Sequence, residues 1–439
     1  MQRVLFVFDS VNSFKLGSVL SLVGFDVDFL IADTANSRKI KVDNLTDSYI
    51  DIIDILSHVE LERLFSDKRD YYESVIIYTD KDELNVSAGI FFSKVLRSNF
   101  FVINNSINFR FIENALINDN IHILSIENLM WQAIFDFIAL RKRQDKLIFK
   151  TNNGLKLKIF KYNVLQYFNE IELKSVQILG YLNSDDIFVS KKQKDKQKKL
   201  DIALALVMNS DSFEDVKHNV SDNFMQKCVV GLFTDLLPSE VFYKLKVHRI
   251  EPSILTDNFF DIKKLKFYYE MNLTKNFSSI TQDDFDVIVC YSSDNYENHL
   301  KSLYFAQQTN AETLCVTNQG STLVKHYGSI KSIDVIERLV MWFILEVFAK
   351  KFVNLALLSE KHIVFEIEIT NFALCDKILN MTHKEIFAFL NGYGCYLLAV
   401  CRKNEVFIND LSSYIPEKED TFLCVFNTED IKNISEMIS

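Results

Sequence analysis

The sequence predicts an α/β protein in which two parallel-sheet domains are each followed by a small α+β module. Three observations carry this. Short apolar runs alternate with helix-length segments, as in VLFVF at 4–8 and SVIIY at 74–78. The second half of the chain repeats the first at a constant spacing. Each half then closes on strand-like runs of another rhythm. One is HIVFEIEIT at 362–370, which alternates like a half-buried strand.

The first domain opens with an apolar run at 2–8, the turn FDSVNS, a helical stretch, and a second apolar run ending at Asp33. This is the outline of strand, turn, helix and strand with a terminal acid. SVIIYTDKDELN (74–85) aligns without gaps with VIVCYSSDNYEN (287–298) at an offset of 213. The same offset sets FFVINN (100–105) beside TLCVTN (313–318). ILSIENLMWQAIFDFIALRKR (123–143) is similar to SIDVIERLVMWFILEVFAKKF (332–352). Each carries a tryptophan, Trp131 or Trp342, on a long apolar helix pattern with a basic end that suits the helix dipole. These helices are expected to bury within their own domain.

The boundaries follow. The first parallel domain takes 1–143 and a shortened module 144–190, with strands in LKLKIFKYN, VQILGYL and DIFVS. The charged run 191–199 reads as a linker, with contact to acidic lipid headgroups as its rival reading. The second parallel domain takes 200–352, starting with DIALALVMN (201–209) and CVVGLFT (228–234). The second module takes 353–439: a helix over 377–390 ending at Asn391 and Gly392, two strands around Lys403 and Asn404, the strand TFLCVF, and a last short helix.

Composition narrows the function. A net charge of −10 and a pI near 5.4 argue against a nucleic-acid binder. Ten glycines in 439 residues leave few positive-φ positions for phosphate loops. The seven cysteines form no C-x-x-C and lie mostly in apolar runs, so they read as buried reduced thiols of a cytosolic protein. No signal peptide is evident. The apolar stretch 339–349 contains Glu346 and falls short of the about 20 residues that a membrane span needs.

Two motifs carry a resemblance. TDKDELN (79–85), with SSDNYEN as its weaker twin, is similar to the T-N-x-D-E-x-N that follows strand four in the TrkA family. LLAVCRKNEVFINDLSSYIPEKEDTFLCVF resembles that family's hairpin and final strand, with Arg402 at its Arg position, Asp420 at its Asp position, and Asn404 replacing its glycine. The chain thus resembles the regulatory subunit of Trk-type potassium uptake, built from tandem Rossmann-like RCK-N domains, each with an RCK-C module. The resemblance implies a homo-oligomer, a tetramer, lying in the cytoplasm on the inner face of the membrane against a Trk-type potassium-transporting subunit. It implies NAD(H) or an adenine nucleotide as ligand, and no enzymatic activity.

The family opens each half with G-x-G-x-x-G, which brings backbone amides to a pyrophosphate. Here those positions are Val7, Asp9 and Asn12, and Asp9 adds a negative charge where phosphate charge would lie. In the second half the turn falls at 207–211 without a glycine. The degenerate site would comprise Asp9, Ser10, Asn12, Asp33, Thr79 and Asp80, with Asp33 as the ribose-binding acid and Asp235 as its match in the second half. Asp9, Ser10 and Ser13 also read as ordinary N-caps.

No catalytic or metal motif appears: no H-E-x-x-H, G-x-S-x-G or Walker A, and dispersed histidines. His299 with His326 is a candidate zinc or proton-transfer pair, and the cluster Asp80, Asp82 and Glu83 reads as a cation site or as a solvated loop. Two other classes stay open. One is an RCK-fold interaction protein without a transporter. The other is a Rossmann-type oxidoreductase, which would need the missing fingerprint.

Overall fold

The structure is a computed structural model. It describes residues 3–34, 49–105, 120–143, 145–161, 176–183, 188–190, 200–207, 228–234, 239–247, 250–256, 274–276, 280–317, 330–359, 361–402, 405–407 and 414–438. The run 191–199, Lys403, Asn404 and His326 lie outside the described residues.

The first domain contains strands β1 (Arg3–Phe8), β2 (Asp26–Ala32), β3 (Tyr49–Ile53), β4 (Ser74–Tyr78), β5 (Asn99–Asn104) and β6 (Ile121–Ser125). Its helices among the described residues are α1 (Val11–Leu22), α2 (His58–Phe65), α3 (Asp82–Val95) and α4 (Ile126–Arg143). The strands run parallel in the order β3-β2-β1-β4-β5-β6, a doubly wound sheet whose winding reverses between β1 and β4. Strands covered on both faces read as unbroken apolar runs, and Val4 to Phe8 are fully buried. On one face α2 and α3 bury Leu61, Phe65, Val86 and Phe92 against Leu5, Val7, Ile77 and Val102. α1 brings Phe14 against Phe8 and Phe29. Its approach depends on Gly17, where an added Cβ would stand 2.6 Å from Phe29 and 2.8 Å from Phe6.

The next sheet is antiparallel: β7 (Asp145–Lys150), β8 (Lys156–Lys161), β9 (Val176–Asn183), β10 (Phe188–Ser190) and β11 (Leu200–Val207) in the order β10-β9-β11-β8-β7. This corrects two expectations. The strand at 200–207 does not open the second parallel domain; it pairs with β8 and β9 at the centre of the first module. The first module therefore has the counterpart of TFLCVF that it was expected to lack, and neither the 190 boundary nor the 200 boundary stands. An isolated apolar run cannot announce which sheet it joins, because its partners are remote in sequence.

The second parallel domain starts at β12 (Cys228–Phe233) and continues with β13 (Ile250–Thr256), β14 (Thr274–Asn276), β15 (Val287–Cys290), β16 (Glu312–Thr317) and β17 (Ile330–Asp334). The order β14-β13-β12-β15-β16-β17 repeats the first sheet. Its helices among the described residues are α5 (Ser239–Val247), α6 (Asn295–Gln308) and α7 (Val335–Phe348). Val7 opposite Ile77 is matched by Phe233 opposite Cys290.

The last module has β18 (Asn354–Leu357), β19 (His362–Glu368), β20 (Cys395–Arg402), β21 (Glu405–Phe407) and β22 (Thr421–Asn427), ordered β18-β19-β22-β20-β21. Strand for strand this is the order of the first module. The predicted 377–390 helix is broken: one turn at Cys375–Ile378, then α8 (His383–Gly392), opened by a capping box between Thr382 and Glu385. A final helix, α9 (Ile431–Met437), follows. β19 is not half-buried as its alternation implies. It lies between β18 and β22 and is buried from His362 to Ile367, Glu366 included.

The chain forms two compact units. One joins the parallel domains, Met1–Phe135 with Cys228–Val340; the other joins the modules, Asp136–Lys227 with Met341–Ser439. In the first, Trp131 is buried edge-on against Tyr291 of the other domain, ring centres 5.5 Å apart. In the second, Leu157, Ile159, Leu204 and Leu206 share a core with Val364, Ala399, Leu423 and Val425. No described helix is long and apolar enough to cross a membrane.

Candidate functional site

In doubly wound sheets ligands bind outside the carboxyl ends of the strands, where the winding reverses. Here that place lies between the turns that follow β1 and β4. Asp9 is fully buried there. Its Oδ1 accepts the Asp80 backbone N–H at 3.0 Å, and its Oδ2 accepts the Thr34 hydroxyl at 3.1 Å. One carboxylate thus ties together the turns after β1, β2 and β4. Ser10 Oγ donates to Asp80 Oδ1 at 3.0 Å. Burial pushes the Asp9 carboxyl above its ordinary value; the Asp80 N–H works against this, and the Asp80 charge adds to it.

The helix end is occupied as well. Ser10 caps α1: its Oγ accepts the Ser13 N–H at 3.3 Å, and the Ser10 N–H donates to Ser13 Oγ at 3.2 Å. That reciprocal pair fills amides that a phosphate would otherwise meet. Val7 is fully buried in the sheet. A cradle built from glycine amides is here closed by a valine, a carboxylate and a serine cap.

The structure brings Asp9, Ser10, Thr79 and Asp80 together. Asn12 lies in the first turn of α1, and its side chain is outside the description. Asp33 is exposed at the end of β2, and its N–H donates to Ile53 O at 2.7 Å. Thr79 has a structural task. Its N–H and hydroxyl both donate to Asn85 Oδ1, at 2.8 and 2.6 Å. Asn85 Nδ2 returns bonds to Thr79 O and Ile103 O. The second domain repeats this clamp with Ser292, Asn298 and Val316 O. The T-x5-N spacing that carried the resemblance is thus a buried fastener between the turn after β4, helix α3 and strand β5.

Two second-half expectations are corrected. The turn after 207 is not the equivalent of the Asp9 turn, because Val207 ends β11 in the first module. Asp235 does not match Asp33: it follows β12, the counterpart of β1, and itself lies outside the description. His299 reaches Thr317 Oγ1 at 3.3 Å and Cys315 Sγ at 3.8 Å, and burial lowers its pKa. Among the described residues no group of three or more His, Cys, Asp or Glu is placed to hold a metal.

Sequence reasoning placed Arg402 and Asp420 in a motif without their bond. Asp420 is fully buried and accepts Arg402 Nε at 2.6 Å and Nη2 at 2.8 Å. Arg402 also reaches Glu417 and the Ile415 carbonyl, and Tyr414 donates its hydroxyl to Asp420. The bond to Asp420 holds the guanidinium charged, and burial raises the Tyr414 phenol. Glu366 was missed altogether, since a single acid in an alternating strand reads as facing solvent.

No protein-family description and no curated protein matches the sequence. Solved structures do match. The GsuK RCK domain aligns at TM-score 0.58 and 9% identity over 99% of this chain and 95% of that one. The GsuK channel aligns at 0.58 and 9%, over 99% and 79%. The GsuK channel bound to NAD aligns at 0.57 and 9%, over 100% and 79%. With two doubly wound sheets, two antiparallel modules of one topology and this end-to-end match, the chain has the tandem RCK fold.

Proposed function

We propose that this chain is a regulatory module that gates a potassium-transporting membrane partner of the Trk type, as a cytoplasmic homo-oligomer on the inner face of the membrane. The observation that carries the reading is the extent of the fold match: 99% of this chain against 95% of the GsuK RCK domain. Both parallel domains and both modules are accounted for. A regulatory assembly of this kind acts by a conformational equilibrium that a ligand biases through unequal affinity for its states.

The first-half cleft takes no dinucleotide by its pyrophosphate in this reading. A solved GsuK channel is bound to NAD. Here the buried Asp9 and the Ser10 cap occupy the turn after β1. The output then depends on another ligand or on the membrane partner.

The test is reconstitution. The chain is mixed with a Trk-type membrane subunit in vesicles, and potassium flux is followed with and without it. Co-purification and a changed flux are expected. Neither association nor a flux change would sink the transporter reading and leave an RCK-fold interaction protein. Calorimetry with NAD, NADH, ADP and ATP tests the cleft. A ligand at 100 times its Kd adds about 2.7 kcal/mol of stability, and no such shift is expected. Saturable binding lost on changing the Asp9 turn would overturn the closed-cleft reading.

A further inference from the structure

The two antiparallel modules share one topology, yet their seam is not symmetric. Each carries a bulge at the same place, between Leu204 and Ala205 where β11 meets β9, and opposite Leu423 and Cys424 where β22 meets β20. At that bulge Leu204 faces Ile159, and Leu423 faces Glu366. One module has an isoleucine where the other has a carboxylate with 0% exposure.

Glu366 reaches across the seam. Both of its oxygens accept the Asn152 backbone N–H, at 3.0 and 2.9 Å, from the turn between β7 and β8. Thr421 Oγ1 donates to Oε1 at 2.9 Å and Asn354 Nδ2 to Oε2 at 2.7 Å. Asn354 Nδ2 also donates across the seam to Lys150 O at 2.9 Å. The corresponding turn of the second module closes on itself, with the Leu358 and Ser359 N–H groups both donating to His362 O.

A carboxylate so deeply buried is tolerated only while donors replace its lost water. One of those donors belongs to the other module, so parting the modules strips the charge of a partner. We infer that Glu366 is an inter-module latch: it bolts the second module to the β7–β8 turn of the first and makes the pair move as one body. Ile159 can form no matching bond, so the latch has no counterpart reaching from the first module. This inference stands apart from any transporter, since it concerns a single unit of the chain.

The turn itself supplies the test. Gly154 N–H donates to Thr151 O at 2.9 Å, which places Asn152 at the second position of a β-turn, where proline is favoured. Asn152→Pro removes the donor and retains the turn. Peptide-resolved hydrogen exchange on the full chain would compare wild type, N152P, E366Q and T421V, with circular dichroism to identify folded variants. N152P and E366Q are expected to raise exchange about tenfold, a change of about 1.4 kcal/mol, in both 145–161 and 354–368. T421V removes a donor from within the second module and is expected to loosen 354–368 alone. Wild-type exchange in N152P would overturn the latch, whatever E366Q does. Equal loosening of both segments by T421V would overturn it too, because the seam bond would then have no special weight.

Discussion

The Arg402 guanidinium forks onto Asp420, with Nε and Nη2 each donating to one carboxylate oxygen. Asp420 is fully buried just before the last strand, while Arg402 keeps one edge near solvent. The pair fastens β20 to the segment that leads into β22. Removing one partner of a buried pair costs about 3–5 kcal/mol, because the other charge is stranded. Arg402→Ala is expected to lose that much in urea unfolding. Arg402→Lys should recover only part of it, since a point charge cannot reproduce the fork. A loss under 1 kcal/mol for the alanine variant would show that the pair is not a fastener.

Asp9 gives a pH dependence with a definite sign. Its folded-state pKa is raised, so its contribution to stability is full below the ordinary value of 3.8 and is lost as pH rises through the folded value. Asp9→Asn keeps an acceptor for the Asp80 N–H and removes the charge. The variant should gain stability relative to wild type as pH rises from 3 to 7. A melting-temperature difference that does not change with pH would refute this.

The two asparagine clamps make matched predictions. Asn85→Ala leaves the Thr79 N–H and the Ile103 carbonyl without their partner; Asn298→Ala does the same to Ser292 and Val316. Each unsatisfied buried group costs about 1–3 kcal/mol. Both variants should be destabilised by similar amounts in denaturant unfolding. A large effect from one and none from the other would mean that the clamps do different work.

Gly17 is where α1 meets the sheet. Overpacking at a tight contact costs about 1–3 kcal/mol. Gly17→Val is expected to lower the melting temperature, because Phe6 and Phe29 must move to admit it. Gly154 makes the contrast: nothing lies near its missing Cβ, and its φ of +82° is the sole obstacle to a side chain.

The thiols should divide sharply under an aromatic disulfide reagent at pH 8. Six cysteines are buried and Cys375 is half-buried. Burial pushes the Cys315 thiol up to about 11 and Cys401 to about 12. A single fast-reacting thiol is expected in the native protein, lost in Cys375→Ser. Several fast thiols would mean that the strands around the others open readily.

Much of this fold was written locally. Parallel strands covered on both faces must be apolar throughout, so runs such as VLFVF and SVIIY declare themselves. The 213-residue offset survives because the same turn, helix and strand are fastened by the same asparagine in each domain. Loss of the glycines at positions 7, 9 and 12 was equally plain, since only residue identity is involved. Three things were left to the tertiary structure. The strand at 200–207 joined the first module, because an apolar run carries no label for partners that are remote in the chain. Asp9 became a buried tie between three turns only once β1, β2 and β4 lay side by side. Glu366 looked like the polar side of a half-buried strand until a turn from the other module covered it. Periodicity records which residues avoid water, whereas a buried carboxylate depends on donors that only the folded chain brings to it.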